Sequence, residues 1–182
     1  RGTEGAMGNP APTGARVVVL DDALSALPVT EAALGLAANW RVGPASKPVA
    51  DRSYRQLAFT PEGIGLRPFS ACHVAQPWRT AREPGDLVIR WTRRSRALAA
   101  DSWTAAEAPL AEESEAYEVD ILDGTAVKRT LVTTTTSVTY TGAQQIADRS
   151  ALLGLGDALD VRIYQLSALV GRGAPESVTL QF

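Results

Sequence analysis

The chain has 182 residues, a mass of 19.3 kDa and a formal net charge of −2, with 45% hydrophobic and 21% charged residues. These are the proportions of a globular protein long enough to bury a core, so they exclude wholesale disorder. One histidine and one cysteine exclude a His/Cys zinc site and an internal disulfide, and the acidic balance excludes a polybasic nucleic-acid binder. We therefore expect no metal, no cofactor and no nucleic-acid partner.

The first third of the chain predicts a linker and a small β-rich adaptor module. Residues 1–14 are rich in Gly, Pro, Ala and Thr, which is typical of a linker, and we expect it to follow an upstream domain. Within the adaptor, residues 15–67, the apolar run 17–20 predicts a buried strand. Residues 30–38 are compatible with a helix or a loop. Short strands are expected at 40–44 and at 54–60, where Leu57 and Phe59 share one face.

Residues 68–182 have the rhythm of an antiparallel β-sandwich. The segment 86–92 alternates, with Leu87, Ile89 and Trp91 on one face, so Trp91 is predicted to pack between two sheets. A long loop with room for one helical turn is expected at 97–114. The remaining elements are predicted at 117–122, ending in an Asp123-Gly124 hairpin turn, at 127–140 as two strands, at 142–149 as a short helix, at 159–163, and at 178–182.

These six or seven short strands separated by turns predict an all-β fold class. Residues 171–175 form a further predicted turn before the last strand. The two modules therefore combine a small β-rich unit with a larger sandwich.

Catalytic motifs are missing from the sequence. The nucleophile-elbow, phosphate-loop and dinucleotide-binding patterns do not occur. Cys72 and His73 are neighbours on a predicted strand, so their side chains should point to opposite faces and take structural roles. Glu112, Glu113 and Glu115 lie on one predicted loop and are expected to form a solvated face. We predict that the protein is not an enzyme.

Two surface features remain as candidate binding sites. Arg93, Arg94 and Arg96 follow Arg90 at a strand end, and they form either a solvated rim or a patch for an acidic partner, a glycan or lipopolysaccharide. Trp78 and Trp103 lie in predicted loops. They are either half-buried plugs or contacts for a partner or a sugar ring.

The larger module resembles a fibronectin type III domain. The resemblance is carried by five segments of the printed sequence: Asp86-Leu87-Val88-Ile89-Arg90-Trp91, Tyr117-Glu118-Val119-Asp120-Ile121, Val161-Arg162-Ile163-Tyr164, Val170-Gly171-Arg172-Gly173 and Val178-Thr179-Leu180. It implies that Trp91 is the tryptophan of the second strand and that the glycine-containing turn connects the last two strands. Extra length falls in the loop 97–114 and around 143–157.

A second resemblance extends over the whole chain. It is carried, in order, by Arg1-Gly2-Thr3-Glu4, Val19-Leu20-Asp21, Trp40-Arg41-Val42-Gly43-Pro44, Gly65-Leu66-Arg67-Pro68, Trp91-Thr92-Arg93-Arg94-Ser95-Arg96, Asp101-Ser102-Trp103 and Tyr164-Gln165-Leu166-Ser167. These segments look like the C-terminal region of the large tail-tip proteins, the host-specificity or "megatron" proteins, of gene transfer agents and related siphophages. The TIM-barrel part of that family would lie upstream, so no hydrolase residue is carried over.

This resemblance implies a structural tail-tip or baseplate component of a phage-like particle, acting in assembly and host-cell contact. The implied partners are other tail proteins, the upstream part of the same chain, tail fibres and host-surface glycan. The implied location is the distal end of the tail, after assembly in a bacterial cytoplasm and release. The alternative is a receptor-binding module for cell-surface glycan, with Trp78 or Trp103 exposed beside the arginines.

Overall fold

The computed structural model describes residues 13–15, 19, 29–75, 84–97 and 108–182. These residues fall into two compact units, one within Met7–Ile64 and one within Gly65–Phe182. The expected linker at 1–14 lies almost wholly outside the described residues. The predicted division into an adaptor module at 15–67 and a sandwich at 68–182 stays a prediction.

Strands dominate the secondary structure of the described residues. Short 3-10 turns occupy Glu31–Ala33 and Ile64–Leu66. The strands and the helix are, in chain order, β1 (Ala38–Val42), β2 (Arg55–Phe59), β3 (Cys72–Ala75), β4 (Leu87–Thr92), β5 (Tyr117–Asp123), β6 (Ala126–Thr133), β7 (Ser137–Tyr140), α1 (Gly142–Arg149), β8 (Ala158–Ser167), β9 (Gly171–Arg172) and β10 (Glu176–Gln181).

The smaller unit contains an antiparallel ribbon formed by β1 and β2. Trp40 lies opposite Leu57, and Ala38 lies opposite Phe59, so one face of the ribbon is apolar as the alternation predicts. No residue of either strand is buried, and the side chains of Leu57 and Phe59 are 53% and 51% exposed. Val19 is exposed and lies outside any strand, contrary to the expected buried strand, whose other residues lie outside the described ranges.

The connection between the two strands of the ribbon is fixed by one aromatic ring. A Cβ at Gly43 would lie 2.5 Å from the ring of Tyr54, so this position requires glycine for the close approach. The Tyr54 hydroxyl donates to the carbonyl oxygens of Pro44 and Lys47, at 3.1 and 3.2 Å. Tyr54, at the end of the connection, thus binds residues at its beginning.

The larger unit is an antiparallel β-sandwich, as predicted. One sheet has the order β3-β4-β7, and the other has the order β10-β8-β5-β6, with β9 paired to the end of β8. Consecutive strands β6 and β7 belong to different sheets, and β7 returns to pair with β4. This three-plus-four arrangement of strands is fibronectin type III-like, and an eight-residue helix is added between β7 and β8.

Alternation along the strands builds the core between the two sheets. Leu87, Ile89 and Trp91 of β4 are buried, while Arg90 and Thr92 are exposed. Trp91 meets Tyr117 of β5 edge to face, with ring centroids 5.2 Å apart, so it is the intersheet aromatic that the sequence predicts. The predicted hairpin is present as well, with Asp123 paired to Ala126 across the turn.

Helix α1 lies where the sequence predicts a short helix, and it is attached to the sandwich by polar side chains. Thr141 and Gln144 form a capping box at its first turn. Gln145 is fully buried and donates to the carbonyl oxygens of Gly85 and Tyr140, and it accepts from the amide of Leu153. Gln145 therefore hydrogen-bonds three backbone groups at the junction of the helix and the sandwich.

Candidate functional site at the loop end of the sandwich

The basic run, residues 93–96, follows β4 at one end of the sandwich. Two of its arginines bind the loop that comes next in the chain. The Arg93 guanidinium donates to the carbonyl oxygen of Ala108 from Nε and Nη2, and its Nη1 donates to Glu115 Oε1 at 2.6 Å. Its side chain is 12% exposed. Burial pulls the pKa of Arg93 down, but the ion pair with Glu115 outweighs burial and the pKa is raised. Arg93 therefore holds the C-terminal part of the loop against the sandwich.

Arg96 makes a second ion pair with the same loop. Its Nε and Nη2 donate to Glu112 at 2.9 and 2.7 Å, and the Glu112 side chain is only 2% exposed. The expectation that Glu112, Glu113 and Glu115 form a solvated face is wrong for Glu112 and Glu115, because Arg96 and Arg93, which follow β4, bind them. Glu113 is exposed, and its Oε2 accepts from the amide of Ala168. Loss of one partner of such a pair leaves a half-buried charge uncompensated.

Arg94 is the candidate arginine that faces solvent. It is exposed, its guanidinium lies 5.1 Å from the centroid of the Phe69 ring, and its Nη1 is 3.4 Å from Ser70 Oγ. Arg93 and Arg96 already bind carboxylates of the chain, so an acidic ligand would have to compete with those carboxylates. Trp78 and Trp103 lie outside the described residues. As binding residues, all five candidates stay predictions.

A cleft of about 420 Å³ opens beside Arg93, and we refer to it as the loop-end cleft. Its lining residues are Trp91, Thr92, Arg93, Ala108, Glu115, Thr135 and Thr136. Trp91 is 5% exposed, and its buried indole Nε1 has no hydrogen-bond partner in the described part of the chain. The cleft thus combines an aromatic ring, an ion pair and hydroxyl groups.

The carboxylate of Glu115 joins the cleft to the core. Its Oε1 accepts from Arg93 and from the Tyr117 hydroxyl, which lies 2.9 Å away. Burial raises the pKa of Tyr117 to about 12, and the negative charge of Glu115 adds to the increase. Tyr117 is therefore a hydrogen-bond donor throughout the physiological pH range. Glu115 Oε1 is therefore engaged in hydrogen bonds within the protein.

The sequence reasoning missed a charge network on the outer face of the larger sheet. Arg172 of β9 donates to both carboxylate oxygens of Asp120, at 2.8 and 3.0 Å, and also binds Glu118. Hydrogen bonding to Asp120 raises the pKa of Arg172. The guanidinium also lies 4.3 Å from the centroid of the Tyr164 ring. Alternation places Glu118 and Asp120 on one strand face, but no sequence signal pairs them with Arg172, which is 54 and 52 positions away.

Cys72 and His73 lie at an irregular position of β3, where the regular alternation expected from the sequence is interrupted. His73 has a φ of 51°, and the register of β3 against β4 shifts between Cys72 and Ala75, so this is a bulge and not a regular alternation. The Cys72 sulfur lies 3.7 Å from the carbonyl oxygen of Thr92. Across residues 29–75, 84–97 and 108–182, no group of three or more His, Cys, Asp or Glu residues could hold a metal ion.

None of the helices in the described part of the chain is both long and apolar enough to span a membrane. No family model and no curated protein matches the sequence. Among solved structures, the rat CD45 extracellular region, domains d3-d4, is 11% identical, covers 96% of this chain and 78% of its own, and has a TM-score of 0.42. The Clostridium perfringens spore cortex lytic enzyme SleM is also 11% identical, covers 79% of this chain and 38% of its own, and has a TM-score of 0.39.

Proposed function

We propose that this chain is a non-catalytic structural module of the tail tip of a gene transfer agent or phage-like particle, acting in assembly and host-cell contact. Its proposed partners are neighbouring tail or baseplate proteins, the upstream part of its own chain and tail fibres. Its proposed location is the distal end of the tail. The ordered set of sequence segments that resembles the tail-tip family is the basis for naming this particle.

The structural observation that carries the proposal is the attachment of the loop after β4. Arg93 and Arg96 bind Ala108, Glu112 and Glu115, so the returning end of the loop is fixed to the sandwich by two ion pairs. A long loop on a rigid scaffold is the usual way in which a β-sandwich presents a contact surface. The same pairs occupy two of the three glutamates that sequence alone offers for acid–base chemistry.

Immunogold labelling of purified particles tests the location. An antibody raised against the 182-residue chain should label one end of the tail, and preincubation of the antibody with the soluble chain should abolish the label. Labelling of heads, or the absence of the chain from purified particles, would overturn the proposal.

The contact role is tested in particles that carry Arg96→Gln in this module, with Arg90→Gln as the matched control. Arg96 binds the loop, whereas Arg90 lies exposed on β4. We expect Arg96→Gln to reduce assembly or host adsorption and Arg90→Gln to preserve both. Equal behaviour of the two variants would contradict a role for the attached loop.

The second candidate function is a receptor-binding module for cell-surface glycan. The loop-end cleft favours it, because a concave site with an aromatic ring and several polar groups suits a small ligand. The site expected from the sequence, Trp78 or Trp103 beside Arg93, Arg94 and Arg96, shares Arg93 with the cleft, and its tryptophans lie outside the described residues. It remains a proposal of its own, in which Arg94 is the described residue best exposed to a ligand.

A further inference from the structure

Positive charge is concentrated at one end of the β1–β2 ribbon. We define the ribbon tip as residues 41–55, which are the connection between the two strands and the strand residues next to it, all within the continuously described range 29–75. The cationic side chains of the ribbon tip are those of Arg41, Lys47, Arg52 and Arg55. Asp51 is its single carboxylate, so its formal charge is +3, whereas the whole chain has −2 and the remaining residues therefore carry −5. The ribbon tip is thus an electropositive region of an acidic protein.

The cations of the ribbon tip are not neutralised by the protein. All four are exposed, and in the described part of the chain none of them binds a carboxylate. The carboxylate of Asp51 instead accepts from the amide and the hydroxyl of Ser53. In the sandwich, by contrast, Arg93, Arg96 and Arg172 each form an ion pair. Four exposed cations without internal partners favour an anionic partner from outside the chain.

Exposed apolar side chains accompany this charge. Val42 is 50% exposed and Val49 is 56% exposed. Every residue from 41 to 50 is exposed, so this part of the ribbon tip cannot enclose a small ligand. Exposed apolar groups next to cations are suited to the boundary of a lipid bilayer, where phosphate groups lie beside hydrocarbon.

The cations lie on both faces of the ribbon. Arg41 is opposite Gln56 on one face, and Arg55 is opposite Val42 on the other, because neighbouring strand residues point to opposite faces. A partner packed against one face would reach only one of these two arginines. A flat anionic layer that meets the ribbon end-on attracts both, so a membrane surface fits this arrangement better than the groove of an acidic protein.

The backbone of the ribbon tip is held in place without using any cationic side chain. The Tyr54 hydroxyl donates to the carbonyl oxygens of Pro44 and Lys47, and its ring occupies the space beside Gly43. The backbone therefore needs little further ordering when a partner binds, which lowers the entropic cost of docking.

We propose that the ribbon tip docks on an anionic phospholipid bilayer, with its four cations at the headgroup phosphates and Val42 and Val49 at the boundary of the hydrocarbon. Each Lys or Arg near an anionic membrane surface strengthens binding about fivefold, and each valine gains by leaving water. The proposal goes beyond the structural function, since it adds a lipid surface as a partner and does not require membership in a tail tip.

The probe is a pair of vesicle preparations, one of phosphatidylglycerol and phosphatidylcholine in equal parts and one of phosphatidylcholine alone. The 182-residue chain is floated with each through a density gradient. We expect it to float with the anionic vesicles only, and less of it at high salt, because salt screens exposed charges. Absence of flotation with the anionic vesicles, or equal flotation with both preparations, would overturn the proposal.

A matched pair of double variants locates the electrostatic contact. Lys47→Gln combined with Arg52→Gln removes two exposed charges from the ribbon tip, while Lys128→Gln combined with Arg90→Gln removes the same two types of charge from exposed positions of the sandwich. We expect the first pair to weaken vesicle binding about 25-fold and the second by less than about twofold. Equal weakening would show that net charge alone attracts the chain and would contradict docking through the ribbon tip.

A matched pair of valine variants tests the apolar contact. Val49→Ser removes an exposed apolar side chain from the ribbon tip, while Val132→Ser makes the same change on β6, where the side chain is 68% exposed. We expect Val49→Ser to weaken binding about three- to tenfold and Val132→Ser to leave it unchanged. Both valines are exposed, so the fold should tolerate either change. Unaltered binding of Val49→Ser would overturn insertion of the ribbon tip into the boundary region.

Further outcomes separate this proposal from its neighbours. Binding to lipopolysaccharide micelles or to poly-L-glutamate, without flotation on phosphatidylglycerol vesicles, would overturn the phospholipid assignment. Tail-tip labelling of particles together with absent flotation overturns the lipid surface and leaves the structural function standing. Flotation that depends on Lys47 and Arg52, with the chain absent from purified particles, supports the lipid surface and overturns the tail-tip location.

Discussion

The sandwich and the β1–β2 ribbon have similar local patterns of apolar residues but differ in how far those residues are buried. Both contain strands with apolar residues on alternate positions. In the sandwich this pattern yields fully buried side chains such as Ile89 and Ile163, whereas no residue of the ribbon strands is buried. A two-stranded ribbon has no second layer of its own to cover its apolar face, and such ribbons are at best marginally stable alone. Burial requires two layers, which alternation does not provide.

The largest expected difference between the two regions comes from truncating one apolar side chain in each. Ile163→Ala empties space in the core and should lower the free energy of unfolding by about 2–5 kcal/mol. Leu57→Ala on the half-exposed ribbon face should change it by less than about 0.5 kcal/mol. Urea unfolding followed by tryptophan fluorescence measures both. Equal losses would mean that the ribbon contributes to the same cooperative core.

The attachment of α1 is expected to show the next largest effect. Gln145→Ala removes one hydrogen bond from each of two carbonyl oxygens and one amide, and it should lower the free energy of unfolding by about 1–3 kcal/mol. Ile146→Ala, at the next and 54% exposed position, is the control and should cost less than about 0.5 kcal/mol. Hydrogen exchange of the helix amides should accelerate in Gln145→Ala alone. Unchanged exchange would show that α1 is held by other contacts.

Adjacent glutamates test the ion pair that fixes the loop. Glu112→Gln removes the charge opposite the half-buried Arg96 and should cost about 1–2 kcal/mol, while Glu113→Gln on the exposed neighbour should cost less than about 0.5 kcal/mol. High salt should narrow the difference only slightly, because Glu112 is buried. Thermal unfolding in low and high salt provides the measurement. A Glu113→Gln loss equal to that of Glu112→Gln would contradict the importance of this pair.

The smallest effect at neutral pH comes from two buried tyrosines, whose ionisation changes the free energy of unfolding only at alkaline pH. The pKa values of Tyr117 and Tyr140 are each raised to about 12 in the folded protein, first by burial and then by Glu115 and Asp148, against about 10 in an unfolded chain. Stability from these groups is fully present below pH 10 and is lost as the pH rises toward 12. The urea midpoint should fall in that window, and less steeply in Tyr117→Phe. A flat profile to pH 12 would contradict the raised pKa values.

Most of the sandwich could be predicted from local patterns. Alternation placed Leu87, Ile89 and Trp91 in the core, and the aspartate–glycine pair marked the hairpin between β5 and β6. These predictions hold because side-chain period and turn chemistry act over a few residues. The gene transfer agent assignment and the absence of catalysis remain predictions.

The candidate site was predicted less well than the fold. The sequence singled out Arg93, Arg94 and Arg96 as a basic patch, but it placed their partners Glu112 and Glu115 in solvent. It read Trp91 only as a core residue, although the same side chain lines the loop-end cleft. An ion pair across 16 or 22 residues leaves no periodic trace, so composition alone favours the solvated interpretation.

By itself, the sequence determined most strands of the sandwich, the short helix and the intersheet position of Trp91, because each depends on neighbouring residues. Only the tertiary structure decided which sheet receives each strand and which charge meets which. It turned the modest net charge of −2 into a set of specific pairs, Arg93 with Glu115, Arg96 with Glu112 and Arg172 with Asp120. The physical reason is distance: hydrogen bonds and ion pairs form between groups about 3 Å apart in space, whatever their separation along the chain.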